Sequence, residues 1–443
     1  MKKIVFICAL LGVEFCSAQS VMTLHDCVEY ALSHSTKMKI QTTERSNEQI
    51  QRREAILNAF TPSINAEAYV NNNYGRTIDP ETNTYVNTTS LNNSYSLSVG
   101  IMLFDGFSAV NNIKICKTKS LMGASVEQQT RDMLCLAIME AYCNVVYYKE
   151  LKEIVAEQIN YAKENLTLVK QQFELGQKSQ SDVVLVEANI AENQYSYTNI
   201  NNLYESALLD LKDLMFYPMS QELEISEDMD FDVVDIDIDR KASDIADYAT
   251  KNNPSVIIAK GNMQNAKVAL NSAKWRFAPR LSLNGGWGTN YYSYPNNNSI
   301  VTPSYSYQIS NNMGEYVQLT LQIPIYNKLS LYSNLKHKKN EYIKAEAEYD
   351  QKIKEIETEV YRAVNDMNKA EAMVWQTCKL AEVDSVANCL NTKKFEQGLI
   401  SVIEWQITYN KYYESLLTKL NAQLQYYIKC AVVRYYNGES YIN

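Results

Sequence analysis

Two carboxylates, Asp182 and Glu404, are the side chains whose type and placement could do chemistry. Each follows a glycine by six residues, and each glycine ends the same pattern: Phe173-Glu174-Leu175-Gly176 and Phe395-Glu396-Gln397-Gly398. They could be taken for a paired acid and base, yet their position at the far end of a helical hairpin suits two other roles better. Carboxylates are favoured near helix N-termini, where unpaired N–H groups carry partial positive charge. Carboxylates in a narrow pore attract cations. The spacing leaves both roles open.

Other chemistry has no visible home. His25, His34 and His337 are scattered without the close spacing of a metal site. There is no phosphate loop, dinucleotide fingerprint or Gly-x-Ser-x-Gly elbow. No catalytic, cofactor-binding or metal-ligating residue is therefore expected, and the chain does not read as an enzyme. The segment Glu222 to Asp239 holds nine acidic residues and no basic ones. Its Asp235, Asp237, Asp239 alternation is similar to a calcium loop but lacks the glycine and the distal glutamate, so it reads as a solvated linker.

The carboxylates must be positioned by long helices. Apolar or small residues at Leu134, Ile138, Ala141, Val145, Tyr148, Val155, Ile159, Ala162, Leu166 and Val169 follow the four-three spacing of a coiled-coil seam, broken only by Lys152. Gly176 supplies the left-handed stop, and an apolar run reopens at Asp182. Adding 222 to each number finds a second copy: Val360, Ala363, Met367, Ala370, Val374, Thr377 and Ala381, then Gly398 and Glu404. Other landmarks recur, Phe60-Thr61-Pro62 with Phe277-Ala278-Pro279 and Leu103-Phe104-Asp105 with Ile325-Tyr326-Asn327. One ancestral unit reads as duplicated. The organisation expected is a signal segment at 1–18, a first repeat at 19–216 with its tip near 176, an acidic linker at 217–240, and a second repeat at 241–443 with its tip near 398.

Each repeat opens with helix, from Thr23 to about Asn58 in the first, and then switches to a period of two. Ile64, Ala66, Ala68 and Val70 alternate with polar neighbours, as do Tyr95, Leu97, Val99, Ile101 and Leu103. The second repeat has Leu281 to Tyr291, then Val317, Leu319, Leu321, Ile323 and Ile325. Strands are expected at about 63–72, 94–104, 281–291 and 316–326, joined by polar loops through Asn71 to Asn93 and Tyr292 to Glu315. Strands of about ten residues with one apolar face fit a transmembrane barrel, but barrels start near eight strands, so four must be pooled between identical chains. The helices that follow, about Gly106 to Gln172 and Ser330 to Lys394, would each span on the order of 100 Å.

Composition sets the compartment. Lys2 and Lys3, the apolar run Ile4 to Val13, and Cys16-Ser17-Ala18 before Gln19 read as a secretory signal cleaved after Ala18, too short to span a bilayer. The net charge of -9 argues against nucleic acid as a partner. Of nine cysteines, Cys8 and Cys16 fall in the signal segment. Cys135 and Cys143, or Cys378 and Cys389, lie about 12 and 16 Å apart along a helix, too far for a disulfide, so the remaining cysteines read as buried thiols.

The duplicated unit, Leu103-Phe104-Asp105-Gly106-Phe107 after a strand, Ile323-Pro324-Ile325-Tyr326 at its counterpart, and the Phe-Glu-x-Gly tips resemble the TolC-like outer-membrane efflux channels over essentially the whole mature chain. The resemblance implies a mainly α fold with a small transmembrane β part: a homotrimer with a twelve-stranded barrel in outer-membrane lipid, continued through the periplasm by a helical tunnel. It implies a passive conduit of a tripartite efflux or type I secretion system, whose partners are a periplasmic adaptor and an inner-membrane RND or ABC-type pump, with no cofactor. It places Glu404 and Asp182 at a periplasmic constriction and Phe173, Gly176, Phe395 and Gly398 at the hairpin tips that dock the adaptor. Ile407 stands where a second constriction acid often lies, and Ile400 replaces a basic latch residue. The competing reading is a surface-located coiled-coil structural or adhesin protein, which has no need for lipid-facing strands. A barrel enzyme would need a nucleophile and a base, which the sequence lacks.

Overall fold

The computed structural model describes residues 21–79, 82–226, 241–297 and 301–439. The expected signal segment and the Asp235 to Asp239 alternation lie outside the described residues. The fold is mainly helical with one small sheet. In chain order the elements are α1 (Leu24–His34), α2 (Thr36–Phe60), β1 (Ser63–Asn73), β2 (Arg76–Ile78), β3 (Tyr85–Asn87), β4 (Ser90–Phe104), α3 (Ser108–Glu174), α4 (Gln180–Met215), α5 (Ala242–Asn252), α6 (Pro254–Trp275), β5 (Arg280–Ser293), α7 (Tyr305–Asn311), β6 (Gly314–Gln322), α8 (Ser330–Glu396) and α9 (Val402–Asn437). The chain divides into a helical unit (residues up to Thr42, Glu127–Val256 and Ile353 onward) and a strand-bearing unit (Thr43–Val126 and Ile257–Lys352). Helices α3 and α8, 67 residues each, contribute to both.

In the strand-bearing unit, β1, β4, β5 and β6 form one antiparallel sheet in that order. The register sorts the alternating residues onto two faces. Ile64 lies across from Val99, Val99 from Gly285 and Gly285 from Val317, and the next apolar row joins Ile101, Leu283 and Leu319. The other face carries Ser98, Asn284, Gln318 and Gln322. On the edge strands the apolar residues of the first face are bare, Val317 83% exposed and Ile64 66%, while Ile101 and Leu283 between them are half-buried. On the polar face, the Tyr316 ring occupies the space a side chain at Gly286 would need. β6 ends at Gln322, earlier than the alternation predicts, because Pro324 has no N–H to give a ladder.

Both polar loops contain structure that composition did not reveal. The first folds into the hairpin β2–β3, and β4 starts four residues earlier than expected, at Ser90. In the second, α7 lies against β5. The Gln308 side-chain amide accepts from the Tyr292 N–H at 3.0 Å and donates to the Tyr292 carbonyl at 2.9 Å, standing in for the strand partner that β6 does not supply there.

In the helical unit, the seams of α3 and α8 are buried at Leu134, Ile138, Val145, Val155, Val360, Met367, Ala370 and Ala381. Lys152, the break in the first seam, places its ammonium 5.9 and 5.4 Å from the rings of Tyr197 and Tyr204. The helix expected from Thr23 is two helices, since Ser35 adopts extended backbone between α1 and α2. The start of the acidic linker is not solvated: Leu223 and Ile225 are buried. There Tyr142 donates from its hydroxyl to the Ser226 carbonyl at 2.8 Å, and Met22 bridges to Ile225. The rest of that linker, 227–240, lies outside the described residues. Cys27, Cys135, Cys143 and Cys430 are buried thiols, whereas Cys116 and Cys378 are half-buried and Cys389 is exposed. Burial pushes the Cys27 and Cys143 thiols up to about 12. Among the described residues, no helix is long and apolar enough to cross a membrane.

Candidate functional site

The two hairpin ends lie in the helical unit and are built by the same backbone device. Gly176 and Gly398 have φ of +71° and +73°, the left-handed conformation that glycine adopts without a Cβ penalty. In the first, the Gly176 N–H donates to the Phe173 carbonyl at 2.9 Å and the Gln177 N–H to the Gln172 carbonyl at 2.8 Å. In the second, Gly398 donates to Phe395 at 2.9 Å and Leu399 to Lys394 at 2.8 Å. These are two identical Schellman stops.

Three residues later each chain restarts a helix on a serine cap. Asp182 and Glu404 occupy the same third helical position of α4 and α9, and their N–H groups donate to the hydroxyls of Ser179 and Ser401 at 3.2 and 3.1 Å. The carboxylates then part company. Asp182 closes a full capping box, its Oδ2 accepting from the Ser179 N–H at 2.9 Å and from the Ser179 hydroxyl at 2.8 Å. Those bonds hold its pKa below the model-compound value. Glu404 is exposed, and its carboxylate accepts no hydrogen bond among the described residues. The structure therefore does not bring the two acids together as an acid–base pair. The Ser-x-x-Asp and Ser-x-x-Glu spacings are capping-box signatures that could have named Ser179 and Ser401 from sequence.

The tip phenylalanines also differ. Phe395 is fully buried and packs with Val169, Val183, Val402, Trp405 and Tyr409, which joins the two hairpins. Its ring stacks on Trp405 at 5.0 Å, Trp405 on Tyr409 at 5.1 Å, and Tyr409 on Tyr161 at 5.1 Å. The Lys178 ammonium lies 5.2 Å from the Phe395 ring. Phe173, its repeat equivalent, is 43% exposed. Ile400 packs against the same cluster, and Ile407 is exposed. Sequence reasoning singled out the phenylalanines but missed the Trp405–Tyr409–Tyr413 spacing of four, which lines one helix face with aromatic rings. Among the described residues no group of His, Cys, Asp and Glu is placed to hold a metal ion.

Residues 33–215 and 245–438, which carry the two hairpins, match the profile of the outer membrane efflux proteins. The chain belongs to that family. It is accordingly an efflux protein of the outer membrane. Solved structures share the fold along nearly the full length. A structure of CusC, described in terms of transmembrane channel formation, has a TM-score of 0.80 at 14% identity, covering 94% of this chain and 92% of that one. The outer membrane protein VceC from Vibrio cholerae has a TM-score of 0.78 at 14% identity, covering 94% and 96%. The Campylobacter jejuni CmeC outer membrane channel has a TM-score of 0.74 at 14% identity, covering 94% and 85%. No curated protein sequence matches the chain.

Proposed function

We propose that three copies of this chain close their four-stranded sheets into one twelve-stranded barrel in the outer membrane, and that their long helices form a tunnel through the periplasm. The observation that carries this reading is the sheet itself. Its order β1-β4-β5-β6 leaves β1 and β6 as open edges, antiparallel to each other's continuation, and the apolar face of those edge strands is bare. In lipid, every backbone N–H and C=O must be satisfied within protein, which an open sheet cannot do and a closed ring can. Pairing β6 of one copy with β1 of the next, three times, closes the ring.

The dimensions agree. At the helix–strand junctions Phe104 packs on Phe107 at 5.2 Å and Phe107 on Trp275 at 4.9 Å, an aromatic girdle. Tyr95, on the apolar face nine residues before Phe104, marks the other border. Nine residues of strand tilted by about 40° rise about 23 Å, close to the ~25 Å apolar band of such barrels.

In this assembly the chain is a passive conduit from periplasm to exterior, supplied by an inner-membrane RND or ABC-type pump through a periplasmic adaptor that docks on the tips at Phe173, Gly176, Phe395 and Gly398. The unengaged carboxylate of Glu404 lines the constriction. Asp182 lies at the same constriction, where Ser179 engages its Oδ2 in the capping box that starts α4. The two repeats and the segment between them take the boundaries expected from sequence. Single-channel recording of the purified protein in planar bilayers tests the reading: discrete conductance steps support a conduit, and a protein that inserts without conducting overturns it. A surface adhesin would dissolve as a monomer without detergent.

A further inference from the structure

The strand-bearing unit holds a cavity of about 540 Å³ at the foot of the sheet, where α3, α6 and α8 meet β4 and β5. Arg276, just past the end of α6, and Arg280, the first residue of β5, both line it. Neither guanidinium has a hydrogen bond or ion pair among the described residues. Lys338 adds a third cation, already paired with Glu341 at 2.7 Å. The one acid in the lining, Asp105, has Oδ2 engaged by the Ala109 N–H at 2.7 Å. The remaining wall includes apolar Met102 and Ile115. The volume is that of a small-molecule site.

The placement of the arginines is built in. The turn that carries them is closed by the Ala278 N–H donating to the Trp275 carbonyl at 3.0 Å. The neighbouring turn crosses that carbonyl at Gly106, whose φ is +68° and where any side chain would collide with the Trp275 oxygen. The surroundings reinforce the sign. In a chain of net charge -9, the residues of this unit include eighteen lysines and arginines against twelve aspartates and glutamates. A cleft lined by charge of one sign concentrates the opposite ion, and guanidinium groups match the geometry of carboxylate, sulfate and phosphate.

The register fixes which way the cavity opens. Met102 lies across from Ser282, and Arg280 across from Gln322, so both belong to the polar face. In the proposed barrel that face is the lumen. We infer that this cavity binds the anionic head of an amphipathic organic molecule in transit, with Arg276 and Arg280 on the head and Met102 and Ile115 against its apolar body. The inference rests on the conduit reading for the direction of the opening and for the ligand's being in transit, whereas the anion site itself does not. Sequence showed no sign of it beyond two arginines flanking Pro279 with no acid nearby.

The probe is 1-anilinonaphthalene-8-sulfonate, titrated by fluorescence into the full-length protein in a neutral maltoside detergent. Saturable binding is expected, weaker by about tenfold in Arg276→Gln/Arg280→Gln, as for the loss of about one charge-assisted bond, and partly kept in Arg276→Lys/Arg280→Lys. Arg280→Gln alone serves if the double variant does not assemble. Binding that ignores these substitutions overturns the inference. The membrane source is separated in nanodiscs: binding that persists in zwitterionic and anionic lipid alike supports a transported anion, whereas displacement by anionic lipid assigns the site to a lipid headgroup and overturns the cargo reading. Conductance is recorded on the same samples, so that arginine-dependent binding without conductance keeps the site and sinks the conduit.

Discussion

Phe395 and Trp405 stack with ring centroids 5.0 Å apart and planes 20° from parallel, one at the end of α8 and the other just inside α9. The pair closes the second hairpin and, through Val169 and Val183, ties it to the first. Phe395→Ala should cost about 3 to 5 kcal/mol, the usual range for emptying a buried phenylalanine site. Phe173→Ala, at an exposed position, should leave the fold of each chain nearly unchanged. Thermal unfolding of the two variants by circular dichroism checks the contrast.

The capping box at Ser179 and Asp182 has a pH signature. Hydrogen bonds from Ser179 depress the Asp182 pKa below 3.8 in the folded chain. A carboxylate with a lowered folded pKa contributes stability that is complete above the unfolded value and lost as pH falls through the folded one. Asp182→Ala should therefore weaken the start of α4 by a few tenths to about 1 kcal/mol at neutral pH. The difference from the parent should shrink below about pH 4. Denaturation midpoints measured from pH 7 down to pH 3 show whether the gap closes.

Glu404 differs because its carboxylate is not engaged at the cap. Three copies converging on a pore axis would attract cations. Glu404→Gln should lower cation preference and relieve block by multivalent cations in single-channel recordings, while stability falls by no more than a few tenths of a kcal/mol. Because Ile407 is uncharged, cation block should be modest even in the parent. An unchanged ion preference in a well-folded trimer would return Glu404 to a helix-start role.

Ala370 is buried and Ala363 half-buried on the inner face of α8, whereas Lys369 points outward and reaches Asp366 at 3.7 Å. Leucine at both alanines should overpack the seam at about 1 to 3 kcal/mol per site, and symmetry would multiply the cost. Leucine at Lys369 should be tolerated. The yield of assembled protein from membranes reports both outcomes.

What sequence disclosed depended on how far each pattern extends. The period-two runs of Leu97 to Ile101 and Val317 to Leu321, and the four-three seams from Leu134 and Val360, repeat a local rule over many residues, so strands and helices were legible. The break at Ser35 involves neither proline nor glycine, and α7 is held by side-chain bonds from Gln308, Thr289 and Tyr305, so neither left a periodic trace. Leu223 and Ile225 are buried in the core that α1, α3 and α4 share, against the charge of their neighbours. The motif Phe-Glu-x-Gly located both tips, yet it could not tell buried Phe395 from exposed Phe173, because the difference lies in which helices pack beside each.

A closed barrel requires the open edges of β1 and β6 to be satisfied by other copies. Native mass spectrometry of the detergent-extracted protein measures this directly. A particle of three chains, released only when the micelle is stripped and stable to dilution, is the predicted result. A single chain that stays monomeric and soluble without detergent would contradict it.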